Sequence, residues 1–275
     1  MTETLNEKPL PERVGSIGGG NMAEAILRGL LRAGFEPAQL SAADPVPERR
    51  ELLARELGVR VVADNRDVAE NSDLVLIAVK PNSLAEATAA VAGCTNPIYL
   101  SIVAGATRAA LAGLLGAEAR IVRAMPNTPA LVGQGAAAVA GGRAATPADL
   151  EWAPGILTAV GEVVVVEEAL LDAVTGLSGS WPAYLFLLAE ALIDAGEAEG
   201  LSRDVAVALT EQTLLGAATL LCRSDDPPST LRENVTSEGG TTAAGLAVFE
   251  AGGFRDLVRG VVAAATERSR ELGDR

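Results

Sequence analysis

Short apolar runs alternate with segments of helical spacing through the first two thirds of the chain. Strands are expected over 14–17, 40–43, 59–62, 74–79, 98–102, 121–124, 136–140 and 163–166. Helices are expected over 22–33, 47–57, 67–70, 83–92, 107–115 and 147–159. The strand candidates are apolar at nearly every position, as strands covered on both faces are. Alternation with helices predicts an α/β fold with a doubly wound, mostly parallel sheet. The later strands, close together in sequence, are candidates for antiparallel pairing. After about Leu170 the strand signal stops. Helices are expected over 182–199, 203–222, 229–234, 242–251 and 254–272. Ser180 and Ser202 are the expected N-caps and Gly200 the expected stop. The chain thus reads as two domains, 1–170 and 171–275. Residues 1–12, polar with two prolines, read as a loose tail.

The first helix of the second domain carries Tyr184-Leu185-Phe186-Leu187-Leu188 and is apolar nearly all round. A domain of roughly a hundred residues can hardly bury such a helix alone. Burial against a second copy is favoured over burial against the first domain. The run 184–193 contains Glu190 and reads as too short to span a bilayer. No leader pattern opens the chain, so no membrane partner is expected.

Composition narrows the chemistry. Apolar residues make up 49% of the 275 and aromatics only 3%, so the core is built from Ala, Val and Leu. The formal charge of −14 argues against nucleic acid as a partner. Any anionic ligand must be met locally, by backbone amides or a few basic groups. Histidine is absent, which excludes His-dependent triads and His-containing metal sites; no metal is expected. Two distant cysteines, Cys94 and Cys222, fit a reduced, cytoplasmic setting.

The first strand runs into Gly18-Gly19-Gly20-Asn21-Met22-Ala23 and then a helix. Gly18, Gly20 and Ala23 fill the G-x-G-x-x-G/A pattern of dinucleotide sites. Gly18 allows the tight turn, Gly20 lets the backbone approach a pyrophosphate, and Ala23 permits close packing of helix on strand. A bare glycine turn is the alternative. Three further segments stand out. Val79-Lys80-Pro81 ends a buried strand, at the sheet edge where α/β ligands bind. Met125-Pro126-Asn127-Thr128-Pro129 holds a rigid strand-end loop. Ser237-Glu238-Gly239-Gly240-Thr241-Thr242 makes a nest of amides before a helix, capped by Thr241 or Thr242, suited to a carboxylate. Asp44 ends the second strand, where an acid often binds the ribose of NAD; Arg49 and Arg50 could instead meet a 2′-phosphate.

Together the segments Gly18-Gly19-Gly20-Asn21-Met22, Ala78-Val79-Lys80-Pro81, 125–129, Ser178-Gly179-Ser180-Trp181-Pro182-Ala183-Tyr184 and 236–242 resemble the pyrroline-5-carboxylate reductase family, in order and over nearly the full chain. The resemblance implies a Rossmann-type domain followed by an all-α C-terminal dimerisation domain. It implies reduction of 1-pyrroline-5-carboxylate, a small cyclic imino acid, to L-proline with NADPH, NADH being the alternative. Gly18, Gly20, Asn21, Met22, Asn65, Val79, Lys80 and Pro81 would hold the cofactor. Val235, Ser237, Gly240, Thr241 and Thr242 would hold the substrate, with Thr242 catalytic through a hydrogen bond to the ring nitrogen. A homodimer, assembled further into a decamer, is implied. Two residues depart from the pattern: Trp181 replaces a glycine and Glu238 a proline. They leave open a reductase of a different cyclic imine. A non-catalytic NAD(P)-binding regulator is the reading from another class.

Overall fold

The computed structural model describes residues 10–142 and 144–273. Residues 1–9 of the expected tail lie outside the described part. Eight strands form one sheet: β1 (Val14–Ile17), β2 (Leu40–Ala43), β3 (Arg60–Val62), β4 (Leu74–Ile77), β5 (Ile98–Ser101), β6 (Arg120–Met125), β7 (Gly135–Gly141) and β8 (Gly161–Val165). Their order is β3-β2-β1-β4-β5-β6-β7-β8. All neighbours are parallel except β6 and β7, which run antiparallel. The expected doubly wound sheet with a late antiparallel pair is therefore present. Chain direction across the sheet reverses between β1 and β4, the switch point at which α/β folds open a crevice.

Helices α1 (Asn21–Arg32), α2 (Pro47–Leu57), α3 (Asn65–Glu70), α4 (Leu84–Ala89), α5 (Arg108–Leu115) and α6 (Asp149–Thr158) cover the two faces. One face packs Ile26, Leu27, Leu30, Leu53 and Ile156 against Leu74, Leu76, Ile98 and Leu100. The other packs Ile17, Val75, Ile77 and Tyr99 against Val91, Leu111 and Leu115. Each such side chain contributes about 1.5–3 kcal/mol by leaving water. This anchors the four-residue strands whose ends carry the site.

Of the described residues, those from 10 to Ser180 and from Ala263 to Gly273 form one compact unit; Trp181–Val262 form a second. The second unit holds helices only. After α7 (Leu171–Val174) come α8 (Trp181–Ala198), α9 (Arg203–Arg223), α10 (Pro228–Asn234), α11 (Thr241–Ala251) and α12 (Phe254–Gly273), whose last turns belong to the first unit. Gly200 stops α8's run with φ 97°, as its sequence position implies.

Ser180 does not cap α8. The chain is already helical from Glu168, passing through a π-turn at Thr175–Gly179. Ser180 donates its amide to the Thr175 carbonyl at 3.0 Å. Two glycines in five residues allow the wide turn to absorb a residue instead of breaking the helix. The hydroxyls of Thr175 and Ser178 donate to the carbonyls of Leu171 and Val174. The run Glu168–Ala198 is 31 residues long. By length and composition it and Arg203–Arg223 could each cross a membrane, which corrects the expectation drawn from 184–193 alone. Length and composition suit a protein–protein interface equally well. In the single chain Phe186 is 65% and Leu187 62% exposed.

Candidate functional site

The turn from β1 to α1 is shaped by glycine where side chains do not fit. Gly18 has φ 93°, and a Cβ on it would lie 2.7 Å from the Ala78 carbonyl oxygen. Its amide donates to the Ala43 carbonyl at 2.8 Å, and the Ala78 amide donates to the Ile17 carbonyl at 2.9 Å. The turn is thereby stitched to the ends of both neighbouring strands. Gly20 is the N-cap of α1, with no side-chain cap and nothing within 4 Å of where a Cβ would stand. The Glu24 amide bonds the Gly20 carbonyl. Among the described residues, the amides of Asn21, Met22 and Ala23 have no such partner, so they face outward at the positive end of a twelve-residue helix. Ala23 is fully buried against the strand layer. An anion's charge and a cofactor's backbone-hugging pyrophosphate both fit this cradle.

Charged side chains around the turn hold it rather than leave it. The Asp44 carboxylate accepts from the amides of Gly19 and Val46, each at 2.9 Å. Arg49 donates to the Gly19 carbonyl and, at 2.7 Å, to Glu24. Arg50 donates to the carbonyls of Asp44 and Pro45. Glu24 also takes Arg28 at 2.9 Å. That bond and Arg49 outweigh burial and hold the Glu24 carboxyl below the usual carboxylate range. Three arginines, Arg28, Arg49 and Arg50, thus stand with two carboxylates, Glu24 and Asp44, around the turn.

Val79, Lys80 and Pro81 follow β4 after Ala78, next to the turn: the missing Cβ of Gly18 would stand 3.0 Å from the Val79 side chain. Lys80 is exposed and precedes a 3-10 turn opened by Pro81. Asn65 begins α3 after β3 and donates to the Ala87 carbonyl at 2.9 Å, tying α3 to α4. Asn127 is 9% exposed. Its side chain accepts from the Ala136 amide at 2.8 Å and donates to the Ser178 carbonyl at 3.1 Å. It straps the strand-end loop to β7 and the π-turn instead of bonding its own turn.

In the second unit, Val235, Ser237, Gly240, Thr241 and Thr242 lie in the single loop from α10 into α11. Gly239 turns the chain with φ 68°, and the Gly240 amide donates to the Ser237 carbonyl at 3.1 Å. The N-cap is Gly240, without a side-chain bond. Thr241 and Thr242 are the first two helical residues, not caps. Their hydroxyls make no hydrogen bond among the described residues, and a Cβ on Gly240 would lie 2.4 Å from the Ser237 hydroxyl oxygen. Val235, Ser237, Glu238, Thr241 and Thr242 are all exposed. Trp181 meets Tyr184 edge to face at 5.5 Å, and its indole nitrogen is buried with no hydrogen-bond partner among the described residues.

One cluster has no counterpart in the motif reading. Glu168 accepts from the Arg108 amide and the Arg123 guanidinium, each at 2.9 Å, and from the Arg108 guanidinium. Burial pushes its carboxyl up, but these donors outweigh burial and hold it below the usual range. The cluster joins α5, β6 and the start of the long helical run. Its members are 15 and 45 residues apart in sequence (123 − 108 and 168 − 123), a separation that carries no local signal.

Residues 168–272 match the family described as pyrroline-5-carboxylate reductase dimerisation, and residues 13–105 match NADP oxidoreductase coenzyme F420-dependent. The chain is 45% identical to a pyrroline-5-carboxylate reductase of Synechocystis sp., over 95% of this chain and 98% of that one. It is also 45% identical to the Mycobacterium tuberculosis reductase, over 94% and 96%. Among solved structures, the Coxiella burnetii reductase matches with a TM-score of 0.89 and 36% identity, over 95% and 98% of the two chains. The Plasmodium falciparum reductase, solved with NADP bound, matches with a TM-score of 0.84 and 30% identity, over 95% and 98%. Matches that run through both units and nearly the whole length show that this chain belongs to the pyrroline-5-carboxylate reductase family.

Proposed function

We propose that this protein reduces the C=N bond of 1-pyrroline-5-carboxylate to give L-proline, using NAD(P)H. The observation that carries this reading is the outward-facing amide cradle at Gly18–Ala23, in a chain that matches the reductases from end to end. A bound nicotinamide supplies the hydride; the protein supplies alignment and charge. Asn21 and Met22 would hold the pyrophosphate, Val79, Lys80 and Pro81 the nicotinamide side, and Asn65 the adenosine side. The amides of Thr241 and Thr242, presented by the Gly240 N-cap, suit a substrate carboxylate, helped by the α11 dipole. Ser237 and Val235 complete the substrate loop. Thr242 would hydrogen-bond the ring nitrogen; a threonine hydroxyl is a weak acid, so it relays a proton from solvent. The exposed Glu238 puts a like charge in the same loop.

Thr242→Ala should lower kcat by about 100-fold, the low end for a positioned proton-transfer group, with the Kd for NADPH unchanged and Thr242→Ser restoring most of the rate. Unchanged turnover removes Thr242 from the chemistry. Loss of reduced nicotinamide, followed with the five-membered imino acid and with its six-membered analogue, tests the substrate. No oxidation with either supports the regulatory reading.

The uncovered apolar sides of α8 and α9 support a homodimer, which we propose assembles further into a decamer. The balance of two unpaired cysteines supports a reduced, cytoplasmic setting.

A further inference from the structure

We infer a second anion site at the edge of the sheet opposite the cofactor cradle. A cavity of about 260 Å³ opens there, lined by Arg13, Ala38, Gln39, Leu40, Ser41, Arg60 and Asn71. Two guanidiniums face it and, among the described residues, no carboxylate lines it. The acids stand behind the walls. Asp73 takes the backbone amide of Arg13 at 2.9 Å and one terminal nitrogen of its guanidinium at 3.2 Å. Asp67 takes one terminal nitrogen of Arg60, and it also takes the Asn71 side-chain amide at 3.0 Å. Each arginine is thus held by one nitrogen. Among the described residues, the remaining guanidinium nitrogens of Arg13 and Arg60 and the Ser41 hydroxyl have no hydrogen-bond partner. Two pre-oriented guanidinium forks across one small cavity match a compact dianion, because each fork pairs with two oxygens. The exposed Ala38 gives an apolar patch at the rim, which leaves room for a short carbon skeleton. The ligand class is a phosphate monoester or a short dicarboxylate.

The position separates this site from the proposed cofactor site. Arg13 precedes β1, Leu40 and Ser41 begin β2, and Arg60 begins β3, all at the amino ends of parallel strands. Gly18 and Asp44 lie past the carboxyl ends of β1 and β2, about 13 Å away along four residues of strand. The paired aspartates cancel the charge of the two arginines, so affinity comes from geometry and should be in the millimolar range.

The test uses full-length protein saturated with NADPH, so that the cofactor's own phosphate site is filled. Inorganic phosphate and malonate are titrated at constant ionic strength made up with chloride, and the shift in Tm gives a Kd for each. Phosphate or malonate should stabilise beyond chloride, and whichever binds more tightly names the ligand class. Arg60→Gln should raise that Kd at least about fivefold, as loss of one fork does, with NADPH oxidation kept. Ala38→Glu, at the exposed rim, should do the same by charge alone without touching either arginine. The proposal fails if neither anion acts beyond chloride, or if both variants respond as the wild type does.

Discussion

Replacing Asp44 by Asn separates two roles for an acid at the end of β2. The structure gives its carboxylate to the backbone: one oxygen to Gly19, the other to Val46. An amide side chain keeps one acceptor and turns an NH2 toward the other NH, so one bond becomes a donor–donor contact. A hydrogen bond to a charged group contributes about 1.5–3 kcal/mol. Asp44 is only part-buried, which reduces the loss to about 1–2 kcal/mol. If the bond serves to pre-form the glycine turn, the cost of ordering that turn moves into cofactor binding. The Kd should then rise by about 5–30-fold, and by the same factor for NADPH and NADH. Calorimetry or nicotinamide fluorescence on wild type and variant measures both. If instead Asp44 faces the ribose, Asp44→Asn would tighten NADPH, by removing repulsion from the 2′-phosphate, and weaken NADH. Opposite shifts for the two cofactors would refute the argument from the turn.

Gly18→Ala should cost about 1–2 kcal/mol for φ 93° and about 1–3 kcal/mol more for the overlap with the Ala78 carbonyl; Tm should fall by several degrees, with a larger rise in KM for NADPH than for the imino acid. Glu168→Gln leaves Arg123, 12% exposed at its side chain, without a counter-charge, at about 2–3 kcal/mol once partial exposure is allowed for. Because the folded carboxyl titrates below its unfolded value, near 4.3, its contribution is present above that pH and is lost as pH falls through the folded value. Urea unfolding against pH should therefore show wild type and Glu168→Gln converging in acid; parallel curves would contradict the pairing. Phe186→Asp puts a charge on the uncovered side of α8 and should reduce the solution mass measured by light scattering toward that of one chain, while an unchanged mass would exclude that side from the interface.

Most of the sheet was legible because its strands are apolar on both faces and short, so each run marks itself. Gly18, Gly20 and Ala23 were legible for a different reason: close approach restricts each to a small residue, and the spacing is local. Asp44 was legible as a position but not as a contact, since its partner Gly19 is brought near by folding. The link between Arg108, Arg123 and Glu168 was invisible for the same reason. At Ser180 local rules misled, because a serine before an apolar run reads as a cap. Only the preceding glycines, in a helix that was already under way, decide otherwise. Thr241 and Thr242 misled similarly, with Gly240 taking the capping position. That displacement leaves both hydroxyls free for a ligand.

The wide turn at Thr175–Gly179 has a consequence for how the long helix can vary. One surplus residue in a helix turns everything beyond it by about 100° about the axis. Shortening this segment by one position would therefore swing Phe186 and its neighbours more than a quarter-circle away from whatever they meet, while leaving the sheet untouched. Chains of this kind should tolerate length changes in the loops between strands far better than here, where a single deletion resets the phase of an entire interface.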